Sequence, residues 1–359
     1  MHDLLIIGAG PAGMMAGICA AQRGKKVLIL EKTGAPGHKL FLCGKKRCNV
    51  TNAEENIESF ALNYIRGKDF MQHILGIYSN LQFMQFLKDL GIKLKIEPRQ
   101  RVFPSSNRSR EIVDVLVNQL KDLKVEMLFH KRAKKLIMQD KKVLGVEVGE
   151  EKFLSSQVLI ATGGKTKQKT GSSGDGYDLA CQAGHTIIFP RKAHYPFEIA
   201  EIDLCKKLDG LVLKDAQVVF LNQGQEVFRS QGELHFSYFG LWGPLMEDAD
   251  KNIHPGRTKN LKIILEGFNP ADVKRSLKKE FQSLIFKGLT FSVIGVCLVN
   301  KSVVTDGGVD LSEIDWNTCG SKLCENLFFA GEVLDVTGKT GGFNLQAAWS
   351  TGYLVGNKA

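Results

Sequence analysis

Leu4-Leu5-Ile6-Ile7-Gly8-Ala9-Gly10-Pro11-Ala12-Gly13 is the stretch that decides the fold. Four consecutive apolar residues read as a buried strand, and Gly8 to Gly13 as a glycine-rich turn. Behind it, Met14 to Gln22 is helix-like and Val27 to Leu30 is a second apolar strand ending at Glu31. Strand, glycine turn, helix and strand in this order open a dinucleotide-binding unit. The glycines stand where a tight turn, close approach of a pyrophosphate and close helix packing each exclude a Cβ, and Gly17 continues the small-residue face of the helix. The helix start offers unpaired N–H groups to phosphates. Glu31, 18 residues beyond Gly13, is placed to accept hydrogen bonds from both ribose hydroxyls of an adenosine.

A single nicotinamide site does not account for two further strand-to-glycine transitions, Val158-Leu159-Ile160-Ala161-Thr162-Gly163-Gly164 and Leu327-Phe328-Phe329-Ala330-Gly331-Glu332. A long cofactor with an extended ribityl chain uses several such turns. Thr340-Gly341-Gly342-Phe343-Asn344, before a final helix over about 344–356, would aim backbone N–H groups at the polarised edge of a flavin. Together these turns point to FAD.

Composition agrees with a globular enzyme: 359 residues, 43% hydrophobic and 24% charged, long enough for about two domains. No apolar run reaches the roughly 18–20 residues of a membrane-spanning helix, since Phe291 to Val299 stops at Asn300. The N-terminus, with Asp3 and no basic leader, reads as the start of a domain and not as a signal peptide, so the expected compartment is the cytoplasm. Eight scattered cysteines suit buried thiols in a reducing compartment. The formal charge of +10 would suit an anionic partner.

The pattern from Asn56 to Leu90 is mostly helical, and a helix is expected over about 110–120. Short alternating segments at 125–129, 133–139, 143–148 and 153–160 read as a small meander returning to the main sheet. From Phe189 to about Thr305 the character turns strand-like, at Gln217 to Leu221 and Leu261 to Leu265, with one basic helix near 271–285. The expected class is therefore α/β, with an FAD-binding domain of residues 1–189 and 306–359 and an inserted substrate or cap domain of residues 190–305. Disorder is expected only in loops and the last few residues.

The joint set GAGPAG, Glu31-Lys32, Gly37-His38-Lys39-Leu40, Arg47-Cys48-Asn49-Val50-Thr51-Asn52, Arg101-Val102-Phe103-Pro104, ATGG, Thr170-Gly171-Ser172, Gly174-Asp175-Gly176-Tyr177, Phe329-Ala330-Gly331-Glu332-Val333-Leu334-Asp335 and TGGFNLQ resembles the aminoacetone-oxidase-like (YhiN/BaiN-type) flavoproteins over nearly the whole chain. The resemblance implies a glutathione-reductase-like FAD-binding Rossmann domain, with a mostly β inserted domain whose helical part is here reduced. It implies noncovalent FAD and an FAD-dependent oxidoreductase that moves a hydride or electron pair through the flavin, with either NAD(P)H docking transiently as electron donor or the substrate amine or carbon acid reducing the flavin directly and oxygen reoxidising it. Carried over by position, Gly8, Gly10, Pro11, Ala12 and Gly13 would bind pyrophosphate and Glu31 with Lys32 the adenosine side. Ala133 would meet adenine, and Ala161, Thr162 and Gly163 would line the adenosine half. Lys39, Arg47, Cys48, Asn49 and Asp175 belong to matched cofactor motifs. Gly331 and Glu332 would meet the ribityl chain, and Gly341, Gly342, Phe343, Asn344 and Leu345 the flavin ring.

The chain departs from that pattern by placing Cys43-Gly44-Lys45-Lys46 where small residues are usual, and by carrying Lys165, Lys167 and Lys169 after ATGG. If both loops flank one cleft, the field there would favour a small anionic substrate, a carboxylate, a phosphate or NADPH. A rival reading takes the Cys43–Cys48 C-x4-C as a redox disulfide of the pyridine-nucleotide type, but no second GxGxxG is present and Cys43, unlike Cys48, lies outside the matched RCNVTN motif, so a chance spacing is preferred. Tyr238 is a third candidate, as a hydrogen-bond donor where the family places a histidine. A nucleic-acid-binding flavoprotein is the remaining alternative, from Lys131, Arg132, Lys134, Lys135, Lys141 and Lys142 and from Lys274, Arg275, Lys278 and Lys279. No interleaved aromatics accompany these, so solvated faces are preferred and no nucleic acid or membrane partner is expected. His185 and His194 read as structural, Trp316 and Trp349 as core, and no metal pattern is seen.

Overall fold

The computed structural model describes residues 1–192, 197–237, 240–246, 249, 260–273, 285, 288–296, 304–339 and 341–359. The chain divides into two compact units, Met1–Arg191 with Val303–Ala359, and Lys192–Ser302.

The first unit is built on a parallel sheet. Its strands run in the order Leu327–Phe329, Glu151–Ile160, His2–Ile7, Val27–Leu30 and Glu126–Leu128, with Leu5 opposite Val158 on one side and Leu28 on the other. Leu4 to Ile6 and Val27 to Leu30 are buried on both faces, which is why they read as unbroken apolar runs and not as alternation. The antiparallel pair Ile314–Asp315 and Gly320–Ser321 extends the Leu327–Phe329 edge. Glu151–Ile160 serves two sheets: its second half joins the parallel core, and its first half pairs with Lys142–Val148 of the meander.

The first helix, Pro11–Gln22, is apolar all round because it is covered on all sides. A Cβ on Gly17 would lie 3.1 Å from both Ile29 and Leu120 side chains. The final helix, Phe343–Lys358, crosses it closely: a Cβ on Gly352 would come within 2.4 Å of Ala12 O, and one on Gly356 within 2.5 Å of Ala16 O. That helix is not frayed at its end, contrary to the expectation for the last residues. Arg23 donates to the carbonyls of Gly356 and Ala359, and Ala359 is buried.

The expected helical run over 56–90 is broken. Helices Ile57–Ala61, Lys68–Ile77 and Asn80–Asp89 are separated by the strand Tyr64–Arg66 and by Gly67, which takes a left-handed φ of 69°. Tyr64–Arg66 pairs with Thr337–Gly338, a long-range partner that local periodicity cannot reveal. A small antiparallel sheet of Thr51–Asn52, Arg101–Pro104 and Leu94–Glu97 was likewise absent from the sequence reading.

The second unit is mostly sheet. Six strands, Phe197–Ile199, Gly240–Trp242, Gln225–Ser237, Val212–Asn222, Leu261–Gly267 and Leu289–Val296, close into a barrel. Its interior is filled by Phe197, Phe220, Phe236 and Phe291 with Leu213, Val218, Leu234 and Ile263, the alternation expected of a small closed barrel. The segment near 271–285 opens on a single 3-10 turn, Pro270–Asp272; Lys274, Arg275, Lys278 and Lys279 lie outside the described residues, as do His194 and Tyr238.

Candidate cofactor-binding site

The first unit carries a cleft along the carboxyl ends of its parallel strands, where open α/β sheets bind ligands. It encloses about 1130 Å³, counting the open mouth, and each strand end contributes one wall: Ile7 to Ala12, Leu30 to Thr33, Ala161 to Gly163 and Ala330 to Glu332. Asn344, Leu345 and Ala348 of the final helix close the far side.

The three glycines of the first turn do three different things. Gly8 has φ +107°, and a Cβ there would sit 2.6 Å from Ala161 O. Gly13 lies under the turn, where a Cβ would meet Gly8 O at 2.0 Å; it does not line the cleft. At Gly10 nothing lies within 4 Å of an added Cβ, although the residue lines the cleft. The cleft is thus open above Gly10. Opposite, Gly331 brings the third strand end onto the first helix, its would-be Cβ 3.0 Å from that of Ala12.

Glu31 is already engaged. One carboxylate oxygen accepts Ala9 N–H at 2.9 Å; the other accepts Thr33 N–H and Thr33 hydroxyl, both at 2.8 Å. Two carboxylate oxygens offer about four acceptor positions, so the geometry leaves room for about one further bond, not the two expected from sequence. Beside it, Asp175 accepts Arg132 through two bonds at 2.8 and 2.9 Å, Lys32 at 2.8 Å and Ser173 at 2.6 Å. Burial works against its charge, yet Arg132, Lys32 and Ser173 prevail and hold its carboxyl well below the usual carboxylate range. Midway along the cleft, Lys39 Nζ binds Glu332 at 2.5 Å and Thr166 at 3.0 Å, while Glu332 also accepts Thr305 N–H at 2.6 Å.

At the far end, Gly342 is the N-cap of the final helix with φ +104°, and a Cβ there would strike the Thr51 carbonyl at 2.3–2.4 Å. The Asn344 side chain is spent on Gly338, accepting its N–H at 2.8 Å and donating to its carbonyl at 2.6 Å. No side chain caps this helix, so its first-turn N–H groups remain available at the cleft wall.

Gly8, Gly10, Pro11, Ala12, Glu31, Lys32, Lys39, Ala133, Ala161, Thr162, Gly163, Asp175, Gly331, Glu332, Asn344 and Leu345 come together in this one cleft. Gly13, Arg47, Cys48, Asn49, Gly341, Gly342 and Phe343 do not line it. Arg47 pairs with Glu97 and stacks over Phe103 with its Cζ 4.2 Å from the ring centre. Phe343 is core, edge-on to Phe60 at 4.8 Å. Asn49 Oδ1 is buried with no hydrogen-bond partner among the described residues. The sequence reading missed Thr33, Ala348 and the lining role of Arg132, which it had placed in a surface patch. Adjacency to Glu31 and Ala133 was the available signal for the first and the last.

Cys43 and Cys48 are free thiols, not a disulfide. Cys43 lines the cleft, and burial pushes its thiol up to about 11, Glu332 adding to the shift and Lys39 opposing it. Burial drives the fully enclosed Cys48 well above the ordinary thiol value, so neither favours the thiolate that thiol redox chemistry needs. Of the departing lysines, Lys46, Lys165, Lys167 and Lys169 do not line the cleft, Lys46, Lys165 and Lys169 being exposed and Lys167 half-buried; the Lys45 side chain lies outside the described residues. The cations that do line it are Lys32, Lys39, Lys131 and Arg132, each within ion-pair distance of a carboxylate.

Residues 2–358 match the HI0933-like protein Rossmann domain. The chain belongs to that family. It is 26% identical over 414 aligned positions to a 3-dehydro-bile acid delta(4,6)-reductase of Clostridium scindens, covering 100% of this chain and 99% of the relative. It is 28% identical to a ribosomal RNA dihydrouridine synthase of Escherichia coli, covering 98% and 96%. Among solved structures the fold resembles the open form of a flavocytochrome c3 fumarate reductase, with TM-score 0.61, 16% identity and coverage of 99% and 77%. It also resembles the 3-ketosteroid-delta4-(5alpha)-dehydrogenase of Rhodococcus jostii, with TM-score 0.60, 14% identity and coverage of 99% and 96%. This HI0933-like protein is an FAD-dependent oxidoreductase, and FAD is its cofactor. No helix among the described residues is long and apolar enough to cross a membrane.

Proposed function

We propose that this HI0933-like protein reduces a carbon–carbon double bond conjugated to a carbonyl group in a small molecule, with FAD lying along the cleft of the first unit and NAD(P)H as electron donor. The observation that carries the cofactor placement is the one cleft lined by Gly10, at the start of the first helix, by Glu31 and by Asn344 and Leu345 of the uncapped final helix, with open space above Gly10. The reaction class rests on the two relatives matched over their full length. A delta(4,6)-reductase acting on a 3-dehydro bile acid and a dihydrouridine synthase both add hydrogen across a double bond that a carbonyl polarises.

In this reading residues 1–191 and 303–359 form the cofactor unit and 192–302 the substrate or cap unit. The N–H groups at the start of the first helix face the pyrophosphate, and Glu31 takes one ribose hydroxyl while its other bonds hold the Gly8–Gly10 turn. Ala133, Lys131 and Arg132 flank the adenine. Glu332 and Lys39 meet the ribityl chain. Asn344 and Leu345 present backbone N–H groups and the positive end of a 16-residue helix to the edge of the ring system, where negative charge grows on reduction. When bound, FAD supplies the hydride that the substrate receives. Lys32 and Arg132 share Asp175, Lys39 pairs with Glu332 and Lys131 with Glu151, so the cleft cations are already engaged by carboxylates.

The protein should purify yellow, with its flavin released on denaturation. A colourless chain that cannot be reconstituted with FAD would refute the placement.

A further inference from the structure

Outside the cleft, the first unit holds a serine, a histidine and a glutamate in one hydrogen-bonded row that the cofactor reading leaves unused. His185 follows Gly184, whose φ of +87° ends the turn after the helix Asp175–Gln182. Its side chain is fully buried and stands edge-on to Phe329, with 4.8 Å between ring centres. Nδ1 lies 3.0 Å from a Glu313 carboxylate oxygen, and Nε2 lies 2.7 Å from Ser321 Oγ. Glu313 closes the 3-10 turn Leu311–Glu313, and Ser321 ends the strand Gly320–Ser321 opposite Ile314.

The roles follow from what each atom can do. A carboxylate only accepts, so Nδ1 carries the ring proton and Nε2 is left as the acceptor. Ser321 must then donate its hydroxyl proton to Nε2. The same Oγ accepts Leu323 N–H at 3.0 Å and Cys324 N–H at 2.9 Å, and these donors favour the alkoxide character that grows as the proton leaves. Burial, outweighing the pull of Glu313, lowers the pKa of His185, which keeps the ring neutral and able to take a proton at neutral pH. The hydroxyl is also reachable. Ser321 is only partly buried and lines a surface hollow of about 990 Å³, counting its open mouth. Met138, Ala183 and Leu323 give that hollow apolar contact for a short acyl chain, and Lys141, Lys322 and Glu325 supply its polar part. Nucleophile, base and orienting carboxylate in mutual contact form the constellation of acyl transfer, which is recognised by geometry and not by fold.

We infer that Ser321 is a nucleophile toward a small carboxylic ester bound in this hollow, with His185 as its base and Glu313 as the positioning residue. Oγ bonds to the ester carbonyl carbon as its proton passes to His185 Nε2. The bond from that carbon to the alcohol oxygen then breaks, and the alcohol leaves with the proton. Water attacks the acylated serine in the same way, giving a proton to Nε2; the Oγ–carbon bond breaks, the carboxylic acid departs and Oγ regains its proton. No electrons are transferred, so the activity is separate from that of the flavin.

The test uses the FAD-loaded protein, p-nitrophenyl acetate and a fluorophosphonate probe, whose phosphorus an activated serine attacks with loss of fluoride. The wild type should turn over the ester, and peptide mass spectrometry should place the phosphonyl group on Ser321. Ser321→Ala should lose labelling and hydrolysis while remaining yellow, and His185→Gln should slow hydrolysis by about a hundredfold or more. Glu313→Gln keeps an acceptor for Nδ1–H but loses the charge that steadies the imidazolium, so kcat should fall roughly tenfold or more with KM unchanged. The adduct is mapped on the wild type, so it decides the matter even where a variant folds poorly. An unlabelled wild type, an adduct on another residue, or hydrolysis that survives Ser321→Ala would overturn the proposal and leave the three side chains as a structural tie between turn and strand.

Discussion

Lys39 Nζ lies 2.5 Å from the Glu332 carboxylate, and that contact joins segments almost 300 residues apart at the middle of the cleft. Both side chains are about four-fifths buried. Removing one partner leaves the other charge half-satisfied in a partly dry site, so Lys39→Met should destabilise the apoprotein by about 1–3 kcal/mol. FAD retention should fall further than stability does. Thermal melts with and without added FAD check this; a variant that melts lower but keeps wild-type flavin affinity would remove Lys39 from the cofactor site.

Gly10 and Gly13 should fail differently. Gly13→Ala forces a Cβ to 2.0 Å from Gly8 O, so the turn must deform and the protein should lose several degrees of Tm or fail to accumulate. The Cβ of Gly10→Val meets nothing within 4 Å, so the variant should fold with a near-normal melt, yet purify colourless. A Gly10→Val protein as yellow as wild type would show that the open space above Gly10 is not where the cofactor lies.

Glu31→Gln should weaken FAD by about 1–3 kcal/mol, read as a Kd roughly tenfold to a hundredfold higher by fluorescence titration. The loss has two parts, the ribose bond and the tie between Ala9 and Thr33, because the amide can accept on only one of its two ends. A Kd within twofold of wild type would contradict the assignment.

Acid sensitivity follows from Asp175 and His185. Asp175 is held below its unfolded value of about 3.9, so its contribution is fully present above that pH and is lost as pH falls through the lowered folded value. His185 is lowered by burial, against the pull of Glu313, and stays neutral in the fold. Its term is complete above about pH 6.5 and declines below it, as the unfolded chain takes up the proton first. Stability should therefore drop in two stages on acidification. Asp175→Asn should remove the lower stage and His185→Gln the upper; a single unchanged transition in both variants would contradict this.

The parallel core was legible because its strands are buried on both faces, so Leu4 to Ile7 and Val27 to Leu30 could be nothing else. The glycine turns were legible because only a backbone position with no room for a Cβ selects glycine at Gly8 and Gly342. Tyr64–Arg66 was hidden because its partner, Thr337–Gly338, is far away in sequence. Arg132 passed as surface charge because nothing local announces Asp175, its partner across the cleft. The lysines of 165–169 misled for the converse reason: adjacency to ATGG fixes where their backbone runs, while solvation draws exposed lysine side chains outward. Cys43 and Cys48 had a suggestive spacing, and only burial distinguishes a reactive pair from two inert thiols. Cys43→Ser should accordingly retain flavin and turnover, and wild-type alkylation at Cys43 should stay slow until the pH nears 11.

The central claim is best tested by double-mixing stopped flow without oxygen. The bound flavin is first bleached with NADPH and then mixed with a conjugated enone, either a 3-keto steroid carrying a 4-ene or a simple cyclic enone. The account predicts that the visible flavin absorbance returns in proportion to the enone added, with the saturated ketone recovered in equal amount. Absorbance that returns only when oxygen is admitted, with the enone recovered intact, would contradict it.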